Sequence, residues 1–118
     1  MKIKKKDFKD KIVSTMIYIY KIDKPDTEGK RKIYFFKYDE AKKEFIKYSA
    51  SYDYYAKAIY NRSISAYSGT LVENKDETYL DDVGFVVPYI QDGKYYLSTV
   101  RDDSKDNNLV NLFEYYKV

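Results

Sequence analysis

Lys32, Tyr34, Phe36, Tyr38 and Lys47 have the types and spacing that could do chemistry. Three rings at alternate positions, with lysines beside them, suit a single strand of nucleic acid: bases stack on the rings and cations meet the phosphates. Residues at i, i+2 and i+4 share a face only on a β-strand. Arg31–Tyr48 supplies such a strand and its return, because aromatic and β-branched runs flank the charged turn Asp39–Lys43, which is a β-hairpin pattern. If the ring face is open, the hairpin is a binding surface. If a neighbouring element covers it, the hairpin is the centre of the core.

Arg31–Tyr38 partly resembles the aromatic, basic segment of RNA-recognition motifs. It lacks both glycines of that segment and carries Ile33 at an aromatic position. Three of the 22 basic residues are Arg (Arg31, Arg62, Arg101), which argues against base-specific reading. Pro25-Asp26 followed by Glu40-Ala41-Lys42 matches the spacing of the restriction-type Pro-Asp…Glu-x-Lys nuclease signature. There the carboxylates hold a divalent cation and the lysine assists a water. Here the residues fall in expected turns, and Glu28-Gly29-Lys30 and Glu73-Asn74-Lys75 show how readily Glu-x-Lys arises. Asp76, Glu77, Asp81 and Asp82, and separately Asp102, Asp103 and Asp106, are oxygen-rich clusters. They fit no EF-hand spacing and read as solvated loops.

The chain has no His and no Cys. It therefore lacks the commonest general base near neutral pH, the commonest metal ligand, thiolate nucleophiles and disulfides. The expectation is a non-enzyme without cofactor or metal.

Sixteen of the 118 residues are Tyr, too many to bury completely. Tyr offers contact area, little entropy loss and a polar tip, so it is favoured at protein–protein interfaces. Tyr54 and Tyr95 are candidates for such a surface beside the hairpin residues. The Lys, Tyr, Ile and Asp bias is also what AT-rich codons give. In size and composition the chain resembles accessory or inhibitor proteins of phages and other mobile elements in AT-rich bacteria. The leading expectation is thus a cytoplasmic protein that binds another protein. The alternative is a single-stranded nucleic-acid-binding domain built from the basic N-terminal half, and a homodimer is compatible with either. Residues 1–48 carry net +7 and residues 49–118 net −4, an asymmetry that either attracts a polyanion or is neutralised within one fold. No run is long enough to span a membrane, and Asp7 and Asp10 interrupt the only stretch that looks like a signal peptide.

These residues need elements to position them. One domain, 1–118, is expected, with residues 1–6 frayed. Ile12–Ile22 reads as a first strand, which forms a meander with the hairpin. Ser49–Asn61 reads as a helix with Ser51 as N-cap: Tyr52, Tyr55, Ala56, Ile59 and Tyr60 make one apolar stripe. That stripe must cover a sheet face, and Tyr34–Phe36–Tyr38 is the expected one. Gly69–Glu73 reads as a short strand, and Asn74–Asp82 as an acidic loop. Asp92-Gly93 closes a hairpin between Phe85–Ile90 and Tyr95–Val100, with Pro88 placing its strand at an edge. Leu109, Leu112, Phe113 and Tyr116 fit a C-terminal helix at 106–117. The fold class expected is α+β: a twisted antiparallel sheet of five or six strands (meander plus C-terminal hairpin) with one central helix and a C-terminal helix.

Overall fold

The structure, a computed structural model, describes residues 2–3 and 16–100. The elements in chain order are β1 (Lys2–Ile3), β2 (Met16–Ile22), β3 (Lys32–Asp39), β4 (Glu44–Ser51), α1 (Tyr52–Tyr60), β5 (Ser65–Glu73), β6 (Thr78–Gln91) and β7 (Lys94–Val100). The strands form one sheet in the order β1-β6-β5-β2-β3-β4, with β7 on the second half of β6. Residues 12–15 of the expected first strand and the helix expected at 106–117 lie outside the described residues.

Local chemistry sets the turns. Asp26 accepts from the backbone N–H groups of Glu28 and Lys30 at 2.9 and 2.8 Å, and Gly29 takes φ 80°. Asp39 accepts from Lys42 N–H at 3.0 Å, between the closing pair Asp39 and Glu44. Asp92 and Gly93 both have positive φ (51° and 75°), the backbone a two-residue hairpin turn requires. Pro88 faces Leu97 on the half of β6 that pairs only with β7, the edge position expected of it.

Ser51 ends β4 and begins the helix at once. Its hydroxyl accepts from Tyr54 N–H at 3.4 Å. The chain then returns as β5 beside β2, with Ile17 opposite Ala66. Because the helix carries it back to the end it left, β5 runs parallel to β2. The sheet is therefore mostly antiparallel but not wholly so: β2–β5 and β1–β6 are parallel.

The helix buries Tyr52, Ala56 and Ile59 against Ile17, Ile19, Ile22, Ile33, Phe35, Ala66, Val86 and Leu97. Of these, Ile33 and Phe35 are odd-numbered positions of β3. The helix thus covers Ile33 and Phe35, and the expectation that it covers Tyr34, Phe36 and Tyr38 is wrong. Periodicity gave two faces to β3 but no reason to rank them.

The other face is buried differently. Tyr18, Phe36, Tyr67, Leu80 and Val83 form a second cluster, with Phe45 and Leu71 against it. Lys47 on β4 and Glu73 on β5 form an ion pair at 3.6 Å, although β2 and β3 lie between their strands. In a flat sheet three strand spacings would separate them by about 14 Å. The sheet must curl toward this face, into a half-barrel. Two bulges produce the bend. One inserts a residue in β2 at Tyr20, and one in β6 at Asp82, where φ is 53°. Gly69 lies opposite the second, and a Cβ there would sit 2.8 Å from the carbonyl oxygen of Asp81. The expected acidic loop at 74–82 is accordingly a correction. From Thr78 onward it is strand, with Leu80 and Val83 turned inward and Asp81 and Asp82 exposed.

Candidate interaction surface

The structure brings Lys32, Tyr34, Phe36, Tyr38 and Lys47 onto one face of the β3–β4 hairpin, inside the curl. Lys47 lies opposite Phe36 and Phe45 opposite Tyr38. The rings are already occupied. Phe36 is 3% exposed, and Tyr20 packs on it at 4.9 Å between centroids. The Lys47 amine is 5.7 Å from the Phe36 ring and 6.0 Å from that of Tyr20, and the Lys21 amine 5.1 Å from that of Tyr34. Tyr34 donates its hydroxyl to Asp23 at 2.9 Å. That hydrogen bond, with burial and the carboxylate charge, holds the Tyr34 phenol above its ordinary pKa. Tyr38 packs edge-on against Phe45 at 5.2 Å. Cation–π pairs of this kind stabilise the face itself, leaving ring edges rather than open stacking platforms.

A second aromatic group lies on the helix side and is more open. Phe35, buried, is the base. Tyr48 of β4 stacks on it at 5.7 Å and Tyr55 of the helix tilts on it at 4.9 Å. Tyr54 meets Tyr55 edge-on at 5.4 Å. Tyr54 is 68% exposed and Tyr48 45%. Burial pushes the Tyr55 phenol up, with Tyr54 and Tyr48 adding to the effect. Of these, the sequence singles out only Tyr54. Tyr48 could have been found from its position directly opposite Phe35 in the hairpin register.

Tyr95, the other tyrosine singled out, is not part of either group. It packs on the helix-side core and meets Tyr60 at 5.2 Å, at the far end of the helix from Tyr54. Beneath that end, Ile59, Ile64, Ala66, Val86 and Pro88, with Arg62, line a cleft of about 590 Å³.

Tyr52 ties the helix to β7. Its hydroxyl accepts from Leu97 N–H at 2.8 Å, its own N–H donates to the Arg31 carbonyl at 3.1 Å, and the Arg31 guanidinium lies 3.8 Å over its ring. Burial pushes the phenol up to about 12 against the opposing pull of Arg31.

The nuclease-type spacing does not converge. Asp26 is consumed by its own turn, and Glu40 and Lys42 lie at the opposite end of the eight-residue β3, roughly 26 Å away at the rise of a strand. Among the described residues no group of three acidic side chains could hold a metal ion. Asp102, Asp103 and Asp106 lie outside them. No described helix is long and apolar enough to cross a membrane. No protein-family model matches the chain, and comparison with curated proteins and solved structures gave no match.

Proposed function

We propose that the chain is a non-catalytic interaction protein that binds another protein through the surface formed by Tyr48, Tyr54 and Tyr55. An accessory or inhibitor protein of a phage or other mobile element is the biological role that its size and composition fit. The observation that carries the reading is that Tyr48 and Tyr55 pack on buried Phe35, and Tyr54, 68% exposed, packs on Tyr55. Preordered aromatic side chains lose little entropy on docking, and so make anchors.

Single-stranded nucleic-acid binding at the curled face is the second reading. The lysines over Tyr34 and Phe36 favour it. The burial of Phe36 weighs against it, since a buried ring offers no face to a base.

Affinity capture from a host lysate with the full chain and a Tyr54→Ala variant separates the two, with protein and nucleic acid both identified. A protein partner should be retained by the wild type and its affinity should fall about 30-fold in Tyr54→Ala, the effect of losing an anchor worth roughly 2 kcal/mol. Nuclease-sensitive DNA or RNA, retained equally by both and released steeply by salt, would replace the first reading with the second.

A further inference from the structure

β4 ends the sheet. It pairs with β3 on one side, and among the described residues no strand pairs with the other. An open edge presents a row of unpaired N–H and C=O groups, and proteins usually guard it with proline, a bulge or unpaired charged side chains. Glu44–Ser51 has no proline, and its register with β3 is unbroken over all eight residues. Its one lysine, Lys47, is paired with Glu73 and lies over the Phe36 ring, so its charge does not stand alone at the edge. Lys47, Tyr48 and Ser49 in the middle of the strand are all exposed.

We infer that two copies of the chain pair antiparallel along β4, with Tyr48 on the two-fold axis. An isologous contact must be self-complementary, and the register that also brings opposite charges together is favoured. Keeping both helices on one side of the joined sheet requires paired residue numbers to have an even sum, because side chains alternate. Centring on Lys47 sets lysine directly against lysine, which is unfavourable. Centring on Tyr48 sets Tyr48 against its own copy, Ile46 against Ala50, Lys47 against Ser49 and Phe45 against Ser51. Extended by two positions, the same register brings Lys43, in the hairpin turn, toward Asp53 in the first turn of the partner's helix, twice by symmetry. Both are exposed. The inference rests on the tyrosine surface proposed above and enlarges it: the two copies of Tyr48 join the Tyr54–Tyr55 pairs into one continuous tyrosine face.

The chain has no cysteine, so single cysteines report on the contact without background. Directly opposed residues have Cα atoms about 4.5–5.5 Å apart, within disulfide reach. Sedimentation of the full chain should give twice the monomer mass. Tyr48→Lys, which places two cations on the axis, should give the monomer with an unchanged circular dichroism spectrum. Under mild oxidation Tyr48→Cys should form a covalent dimer, while Glu44→Cys, whose copies are roughly 26 Å apart in this register, should not. A wild-type monomer at every concentration reached overturns the inference. So does a dimer in which Tyr48→Cys cross-links no faster than Glu44→Cys. Tyr54→Ala should leave the dimer intact, so loss of partner capture in that variant and loss of the dimer are separate failures.

Discussion

At one end of the sheet β7 turns its outer edge to the helix; at the other, no described strand pairs with the outer edge of β4. The backbone problem is the same at both. At β7 the Leu97 N–H points away from β6 and is met by the Tyr52 hydroxyl, while Arg31 closes over the ring. On the neighbouring strand Pro88 has no N–H to offer. This edge is satisfied by side chains of the chain itself. At β4 the nearest tyrosines, Tyr48 and Tyr54, lie beside the edge rather than across it. The difference teaches that tyrosine is used in two ways here: with a buried hydroxyl as a backbone partner, or with an exposed ring as contact area.

Three substitutions test the contrast. Phe35→Ala removes the base beneath the open-edge tyrosines and leaves a cavity under the helix. A loss of about 3–5 kcal/mol is expected, read from urea unfolding, and a loss below about 1 kcal/mol would show that Tyr48 and Tyr55 do not depend on it. Tyr52→Phe strips the closed edge of its acceptor. Leaving Leu97 N–H buried and unpaired costs about 1–3 kcal/mol. The same phenol gives a pH signature. Its folded pKa of about 12 lies above the ordinary 10, so the folded protein keeps a proton that the unfolded chain releases. Stability is fully present below pH 10 and is lost as pH rises from 10 through 12, with a limiting slope near ~1.4 kcal/mol per pH unit from this group. Alkaline unfolding of Tyr52→Phe should therefore be shallower; equal slopes would mean that the phenol is not held by the fold. Lys47→Met is the smallest change. The pair with Glu73 is half exposed, and such pairs contribute about 0–1 kcal/mol. A larger loss would give Lys47 a part in holding the curl.

Much of the fold was legible in the sequence, because its signals were local. Ser51 as N-cap, the Asp39–Lys43 and Asp92-Gly93 turns and the two hairpins all follow from residue type over a few positions. What was not legible depends on distant segments. β5 joins β2 in parallel because a helix intervenes, and no residue in Ser65–Glu73 announces its neighbour. The first part of β6 looked like a loop because Asp81 and Asp82 are adjacent. They are tolerated because a bulge puts both outside and spaces Leu80 and Val83 three apart, a period that matches neither strand nor helix. The hairpin residues were rightly grouped on one face. The sequence did not show that this face would close on itself, since the curl depends on bulges at Tyr20 and Asp82 that periodicity hides. The open tyrosine surface sits on the opposite face, and of it only Tyr54 was picked out.

The bond from Tyr52 to Leu97 has a consequence for how the molecule is made. It joins residues 45 apart, and the helix-side core also needs Val86 and Leu97. During synthesis the β2–β4 meander and the helix emerge before the β6–β7 hairpin that completes their core. Long-range closure of this kind slows folding. A nascent chain halted before Lys94 would hold an exposed aliphatic groove and a phenol with no partner, so the β6–β7 hairpin acts as the latch that commits the chain to its folded state.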